Sequence, residues 1–417
     1  MSDGPATAEP EPSVAGRSRG RRRRTLAGCA AVLVLLALSL LWLWRQDEPE
    51  FFDHDGAARL TLGGLRPAVP GPGLPAGLEV GASTNNCDLA TFDGRTFLAF
   101  RTGPHHFASD AVRIVILSSA DRERWTLELE LAAGCDQREP RFLVFKDRLF
   151  VYLFEGGTNP LGFEPKRLQV RVREGLGRWS EPRGFFEPGF VLWRARVHDG
   201  RAWMSVYRGA GLYTLSDRPG EVRLLVSDDG LSWSAISEHP QITTTGASET
   251  DFVFDADGDL WATVRLEVRG GLVAHARAGS LDKWETHIID RKIDSALIIP
   301  HDSELYVIAR RSLGGPFWRG ASWMPDSVRR GWSLARYSLT RKRTAVYRLD
   351  REARDLVPLV DLPSCGDTAF AGAVELAPGR FEIVNYSSPI DGVDWPWLGG
   401  QLTGSRLYFQ ELTIAPK

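Results

Sequence analysis

Leu225–Ser234 reads LVSDDGLSWS: an apolar run, then a serine, two aspartates, a glycine and a tryptophan. Asp and Gly make a tight turn. The carboxylate accepts backbone N–H bonds inside it, and Gly230 supplies a permissive backbone. Trp233 then returns to pack under the hairpin. The same S-x-D-x-x-x-W spacing occurs at Ser119–Trp125, with weaker forms in GLGRWS (Trp179) and SLDKWE (Trp284). These four tryptophans stand about 51–54 residues apart. A fixed period of this size marks a repeat architecture, which makes the turn a folding device and gives Asp229 and Asp121 structural roles.

A second series interleaves with the first. TFLAFR ends at Arg101, LFVYLF at Phe154, AWMSVY at Tyr207, LWATVR at Arg265, ELYVIAR at Arg310 and FEIVNY at Tyr386. Most follow an Asp/Gly turn, and each is aromatic and β-branched at strand length. Six copies over residues 80–417 give about 56 residues per unit, enough for four short strands and their turns. No long amphipathic helical pattern follows residue 45. The pattern predicts an all-β, six-bladed β-propeller, in which radial repetition protects the sheet edges. A β-sandwich or a β-helix competes, but sandwiches rarely carry such a period.

The first 80 residues read differently. GRSRGRRRR supplies Arg17, Arg19 and Arg21 to Arg24, and Thr25–Trp44 follows without a charge. Twenty residues at about 1.5 Å each span roughly 30 Å, a bilayer core. Arginines before it and RQDEPE after it place the N-terminus in the cytoplasm. The expected organisation is a cytoplasmic tail over 1–24, a single transmembrane signal anchor over 25–44, a Pro/Gly-rich linker over 45–80 and an extracytoplasmic propeller over 81–417. The first 45 residues hold seven of the 51 basic and three of the 53 acidic residues, leaving the rest about six charges negative. That argues against nucleic acid as a partner. Cys29 falls in the apolar run; of Cys87, Cys135 and Cys365, a Cys87–Cys135 bridge is open, but the odd count speaks against a disulfide framework. No ligand spacing suggests a metal, and no cofactor is implied.

Ser227, Asp229, Gly230 and Trp233 resemble the Asp-box of neuraminidase-type repeats. SETDFVFDADGDLWATVR (Ser248–Arg265) and GDTAFAGAVELAPGRFEIVNYSS (Gly366–Ser388) are similar to segments of the sialidase superfamily. The resemblance covers most of residues 82–417 in short scattered motifs. It implies three arginines that grip a substrate carboxylate with planar forks, a tyrosine nucleophile activated by a glutamate, and an aspartate acid/base. Residue by residue, Glu249 matches the glutamate and Arg265 the second arginine. Arg310 stands in the equivalent column of the next repeat, with Arg311 competing. Asp110 is the nearest match to the acid/base. The first arginine's motif is replaced by STNNCDLATF, with Asn85 and Asn86, and the tyrosine's place holds Phe370.

Column alignment offers substitutes. Equivalent strand positions share a face, so Arg101, Phe154, Tyr207, Arg265, Arg310 and Tyr386 are expected to converge at one level of the central channel. Arg101 would replace the missing arginine and Tyr386 the missing tyrosine; alternatively they make hydrogen bonds between blades. CDQREP offers Asp136 and Arg138 to the pocket or to an inter-blade salt bridge. His106, beside His105, can meet a sugar hydroxyl or transfer a proton. Trp193 and Arg194 can form a stacking wall for a sugar ring or belong to the core. The expected partner is a carbohydrate, a carboxylate-bearing glycan in the first instance, bound and hydrolysed by an exo-sialidase-like site. The contrasting expectation is a non-catalytic surface module that binds a glycan or a protein.

Overall fold

The computed structural model describes residues 4, 28–39, 41, 59–160, 162–209, 219–317 and 323–416. The chain divides into two units, Met1–Arg45 and Gln46–Lys417. In the first, residues 28–39 and 41 are helical. Among the described residues no helix is long and apolar enough to cross a membrane. Residues 25–27, 40 and 42–44 of the expected anchor lie outside the described residues, as do residues 1–3 and 5–24 of the tail and 45–58 of the linker.

The second unit folds as six antiparallel sheets. Blade I runs through Ser83–Phe92, Arg95–Gly103, Arg113–Ser119 and Thr126–Leu131; blade II through Asp136–Phe145, Arg148–Gly156, Pro165–Gly175 and Arg183–Phe185. Blade III comprises Val191–His198, Arg201–Gly209, Pro219–Ser227 and Ser234–Ala235, and blade IV Ala247–Phe254, Leu260–Leu266, Gly271–Ala276 and Glu285–Ile289. Blade V comprises Asp294–His301, Glu304–Ser312, Lys342–Asp350 and Asp355–Leu362. Blade VI takes Thr368–Ala377, Arg380–Ser387 and Arg406–Ile414, and its outer strand is Leu60–Val69 from the start of the unit. The first strand of each blade contacts those of its two neighbours, so the ring is closed.

Leu60–Val69 falls inside the stretch expected to be linker. It pairs antiparallel with Arg406–Ile414, from Leu60 opposite Ile414 to Val69 opposite Leu407. Gly63, Gly64 and Pro67 make it read as a breaker-rich segment, yet an outer strand tolerates such residues because one edge needs no partner. The pairing joins the two ends of the unit and locks the ring. A second departure is the helix Asp326–Ser338, inserted between the second and third strands of blade V. A third is the short helix Trp397–Thr403 in blade VI.

The quoted turn behaves as expected. Ser227 Oγ donates to Asp229 Oδ1 at 3.0 Å, which also accepts the N–H groups of Leu231 and Ser232 at 2.7 Å each. Gly230 has φ 73°, and a Cβ there would meet the Phe150 ring at 2.8 Å. Trp233 is buried and packs edge-on against Tyr152, whose hydroxyl donates to the Gly230 carbonyl at 2.7 Å. Ser119–Trp125 repeats the arrangement in blade I, where Asp121 Oδ1 accepts from Glu123 and Arg124 N–H. Trp179 and Trp284 occupy the same corner, between third and fourth strands, in blades II and IV. Blade V keeps the corner without the tryptophan, with Asp350 Oδ1 accepting from the N–H groups of Glu352 and Ala353 at 3.1 and 2.9 Å; blade VI has no such corner, since its fourth strand comes from the other end of the unit. Cys87, Cys135 and Cys365 are all free thiols.

Candidate functional site

A register shift recurs in the innermost strand of every blade at one level. It falls between Asn85 and Asp88, Arg138 and Arg141, Leu192 and Arg194, Ala247 and Thr250, Asp294 and Leu297, and Ala369 and Gly372. Such bulges re-aim the side chains beside them. Asn86, Glu139, Ser295 and Phe370 take φ values of 45°, 54°, 57° and 57° at these points. Above this ring of bulges lies a cavity of about 210 Å³ to which all six blades or their loops contribute. His106, Phe107 and Ala108 come from blade I; Arg138, Glu139, Pro160, Gly162 and Phe163 from blade II; Tyr207 from blade III. Glu249 and Arg265 come from blade IV, Arg310 from blade V, and Phe370, Trp397 and Gln401 from blade VI.

The guanidinium groups of the cavity are held by carboxylates. Arg265 Nη1 donates to Glu249 Oε1 at 2.8 Å, its Nε lies 3.1 Å from Asp294 Oδ1, and Nη2 pairs with Glu267. Arg310 donates from Nε to the Tyr337 hydroxyl at 3.2 Å and from Nη2 to Asp294 Oδ2 at 3.4 Å, and its guanidinium lies 4.7 Å above the Trp397 ring. Tyr337, from the inserted helix, donates its hydroxyl proton to Asp294. Arg138 binds Asp136 through Nε and donates from Nη2 to the His106 carbonyl at 3.0 Å.

Asp367 organises the wall beside Arg310, whose Nη1 lies 3.9 Å from its Oδ1. Its Oδ1 accepts from Trp397 Nε1 at 2.8 Å and from the Tyr386 hydroxyl at 3.1 Å, and its Oδ2 lies 2.7 Å from His106 Nδ1. Burial pushes the His106 imidazole below its ordinary range, while Asp367 keeps its carboxyl low against its own burial, through His106 and then Arg310. A neutral imidazole that carries its proton on Nδ1 satisfies both, since Nδ1 faces a carboxylate. Burial, and then Asp367, push the Tyr386 phenol well above its usual range. It is therefore a hydrogen-bond donor at neutral pH.

Two glutamates share the cavity under unequal conditions. Glu249 accepts from Arg265, from Ser295 N–H at 2.7 Å and from Ser295 Oγ at 3.1 Å. Glu139 accepts from Asn86 Nδ2 at 3.0 Å and from Arg141 Nη2 at a long 3.4 Å. Burial pushes the Glu139 carboxyl up to about 7 against the pull of Arg141, and Glu249 adds to the push.

The structure brings Glu249, Arg265, Arg310, Arg138 and His106 to one cavity, with Tyr207 from the same strand column. Between the two competing arginines, Arg310 faces the cavity, whereas Arg311 is buried against Asp361 in a two-point pair at 2.8 and 2.6 Å. Arg101, Asp136 and Tyr386 are buried just outside the lining. Arg101 grips Asp136 Oδ1 at 3.1 and 2.9 Å and donates to the Phe107 carbonyl at 2.8 Å, so it props the loop that carries His106. Asp110 is exposed in that loop, away from the lining.

Trp193 and Arg194 lie in the core. Trp193 is fully buried, packs at a tilt against Phe370 (5.1 Å between ring centres) and donates to the Ala296 carbonyl at 3.2 Å. Arg194 donates to the Ala371 carbonyl at 2.7 Å and to Asp88 at 3.3 Å. Glu139, Asp294, Tyr337, Asp367 and Trp397 were not singled out from sequence. Glu139 sits in the CDQREP motif, and Asp367 is the second residue of the GDTAF segment; Asp294, Tyr337 and Trp397 carry no motif.

No protein-family model matches the chain, and no curated protein matches it by sequence. Solved structures match its fold. Trypanosoma rangeli sialidase in complex with the inhibitor DANA aligns at a TM-score of 0.56 and 11% identity, over 81% of this chain and 57% of its own. The Hadza microbial sialidase Hz136 aligns at 0.52 and 13%, over 79% of this chain and 65% of its own. The endosialidase of phage phi92 aligns at 0.53 and 11%, over 81% of this chain and 68% of its own. The chain thus spans under two thirds of the first two proteins. What it shares with these sialidases is the fold, a closed ring of six antiparallel blades.

Proposed function

We propose that the chain is a membrane-anchored, extracytoplasmic glycan-binding propeller that hydrolyses glycosidic bonds, with a carboxylate-bearing sugar as its first candidate substrate. The observation that carries this reading is the cavity at the channel mouth. Guanidinium groups from three blades, Arg138, Arg265 and Arg310, stand around it with two glutamates and the aromatic rings of Tyr207 and Trp397. Arginine forks bind sugar carboxylates and hydroxyls, indole and phenol faces cover pyranose rings, and a carboxyl pair is what most glycoside hydrolases use. Trypanosoma rangeli sialidase, one of the fold neighbours, has been solved with sialic acid bound. The anchor reading rests on the uncharged run 25–44 behind six arginines; membrane fractionation and protease protection of the full chain test it.

Hydrolysis is tested with fluorogenic glycosides of sialic acid, glucuronic acid and galactose. The full chain in detergent is expected to release the fluorophore, and Glu249→Gln to lose at least about a hundredfold. No release from any of the three counts against the hydrolase. One observation favours the second reading, a non-catalytic glycan-binding module: Phe370 lines the cavity while Tyr386 is sealed beneath it. Glycan binding by the full chain, lost in Arg310→Ala and unaccompanied by release, would select that module.

A further inference from the structure

Resting on the hydrolytic reading, we propose that Glu139 is the proton donor of the cavity, the carboxyl that protonates the departing glycosidic oxygen. The backbone argues first. Glu139 sits on the bulge of the blade II inner strand at φ 54°, a conformation few residues other than glycine adopt, and it is there that the strand turns a side chain into the cavity.

The second argument is the inequality between the two glutamates. Glu249 is met by three donors at 2.7–3.1 Å, one of them a guanidinium. Glu139 has one amide donor at 3.0 Å and a distant guanidinium contact at 3.4 Å. Two carboxyls in one site with environments pushed apart divide the roles of acid and charge. The groups that act on Glu139 are Arg141 and Arg138 on its own strand, Asn86 and Arg101 from blade I, and Glu249 from blade IV. Burial wins, and the carboxyl stays protonated up to about pH 7.

The step balances without a further reagent. The Glu139 proton passes to the glycosidic oxygen as the bond to the anomeric carbon breaks, and the bonding pair leaves with that oxygen as an alcohol. The Glu249 carboxylate faces the positive charge left on the sugar. Water adds its oxygen to the anomeric carbon and returns a proton to Glu139.

Dinitrophenyl and methyl glycosides of sialic acid, glucuronic acid and galactose test this on the full chain. A proton donor matters for the poor methoxide leaving group and little for dinitrophenolate. Glu139→Gln is therefore expected to lose about 10²–10⁴-fold on the methyl glycoside, at least tenfold less on the dinitrophenyl one, and the fall in wild-type rate above pH 7. Equal losses on both, or an unchanged pH profile, overturn the proposal and leave hydrolysis standing. No cleavage by the wild type removes the hydrolytic reading and this one together.

A second measurement is independent of activity. The folded pKa lies above the unfolded one, so the folded state keeps a proton that the unfolded chain releases, and stability falls as pH rises through that window. Between about pH 4.5 and 7 the wild-type folding equilibrium should drop by up to about tenfold per pH unit relative to Glu139→Gln, the slope of one proton. Parallel curves would mean an ionised Glu139 and overturn the proposal.

Discussion

Two groups of arginines lie one above the other along the channel, and they are used differently. At the mouth, Arg138, Arg265 and Arg310 are paired mostly with side-chain acids around an open cavity. Below the ring of bulges, Arg141 donates to the carbonyls of Trp193 at 2.8 Å and Cys87 at 2.9 Å, and Arg196 to the Ile298 carbonyl at 2.8 Å. Arg194 reaches blades I and VI, and Arg196 and Arg194 both meet Asp251 of blade IV. The lower group ties blades together through backbone carbonyls and the buried carboxylates Asp88 and Asp251, around the buried Trp193. The upper group is the one a ligand can reach. The same residue type thus braces blades on one side of the bulges and lines the cavity on the other.

That division can be broken by mutation. The largest effect is expected at the brace. Arg194→Ala leaves Asp88 and Asp251 short of a buried partner and should cost about 3–5 kcal/mol in denaturant unfolding. Arg310→Ala, at the mouth, should reduce glycan binding with a smaller loss of stability; comparable destabilisation would erase the distinction. Trp233→Ala, at the blade corner, should cost about 3 kcal/mol through the cavity it leaves, with the glycan affinity of the folded fraction unchanged. Asp229→Ala removes three local hydrogen bonds on an exposed turn and should cost about 1 kcal/mol. The smallest effect is a pH term from the same turn. Burial works against ionisation at Asp229, but the N–H groups of Ser232 and Leu231 outweigh it and hold the carboxyl at about 2. Its stabilisation is complete above the unfolded value near 4 and is lost as pH falls toward 2. Asp229→Ala should flatten the acid limb of the wild-type stability curve.

The fold was legible because its repeating parts are local. Two-residue turns such as Asp93-Gly94 and Asp199-Gly200, both residues at positive φ, carry a composition that survives in the sequence. So do the tryptophans at the outer corners of blades I–IV. The closing strand Leu60–Val69 was not legible, because its glycines and proline are acceptable only once Arg406–Ile414 is alongside. The helix Asp326–Ser338 carries three arginines and a glycine, and the side chains it buries are Ser333, Arg336 and Tyr337, which no apolar pattern marks.

The site was half legible. Column alignment brought Tyr207, Arg265 and Arg310 to one level, and all three reach the cavity. Arg101 and Tyr386 share that level, but buried carboxylates capture them: Asp136 takes the guanidinium and Asp367 the phenol. Trp193 and Arg194 read either as a sugar wall or as core, because the bulge beside them has no sequence mark, and they are core. CDQREP points to Asp136 and Arg138 rather than Glu139, since nothing in it announces which carboxylate the bulge aims into the cavity.

The account stands or falls on where a sugar sits. A crystal structure of the full chain with a non-hydrolysable sialoside tests this most directly. The account predicts the ring in the cavity between Tyr207, Trp397 and Arg310, with its glycosidic atom within hydrogen-bond reach of the Glu139 carboxyl. A sugar bound at the outer corners of the blades, or a cavity that stays empty at saturating ligand, would contradict it.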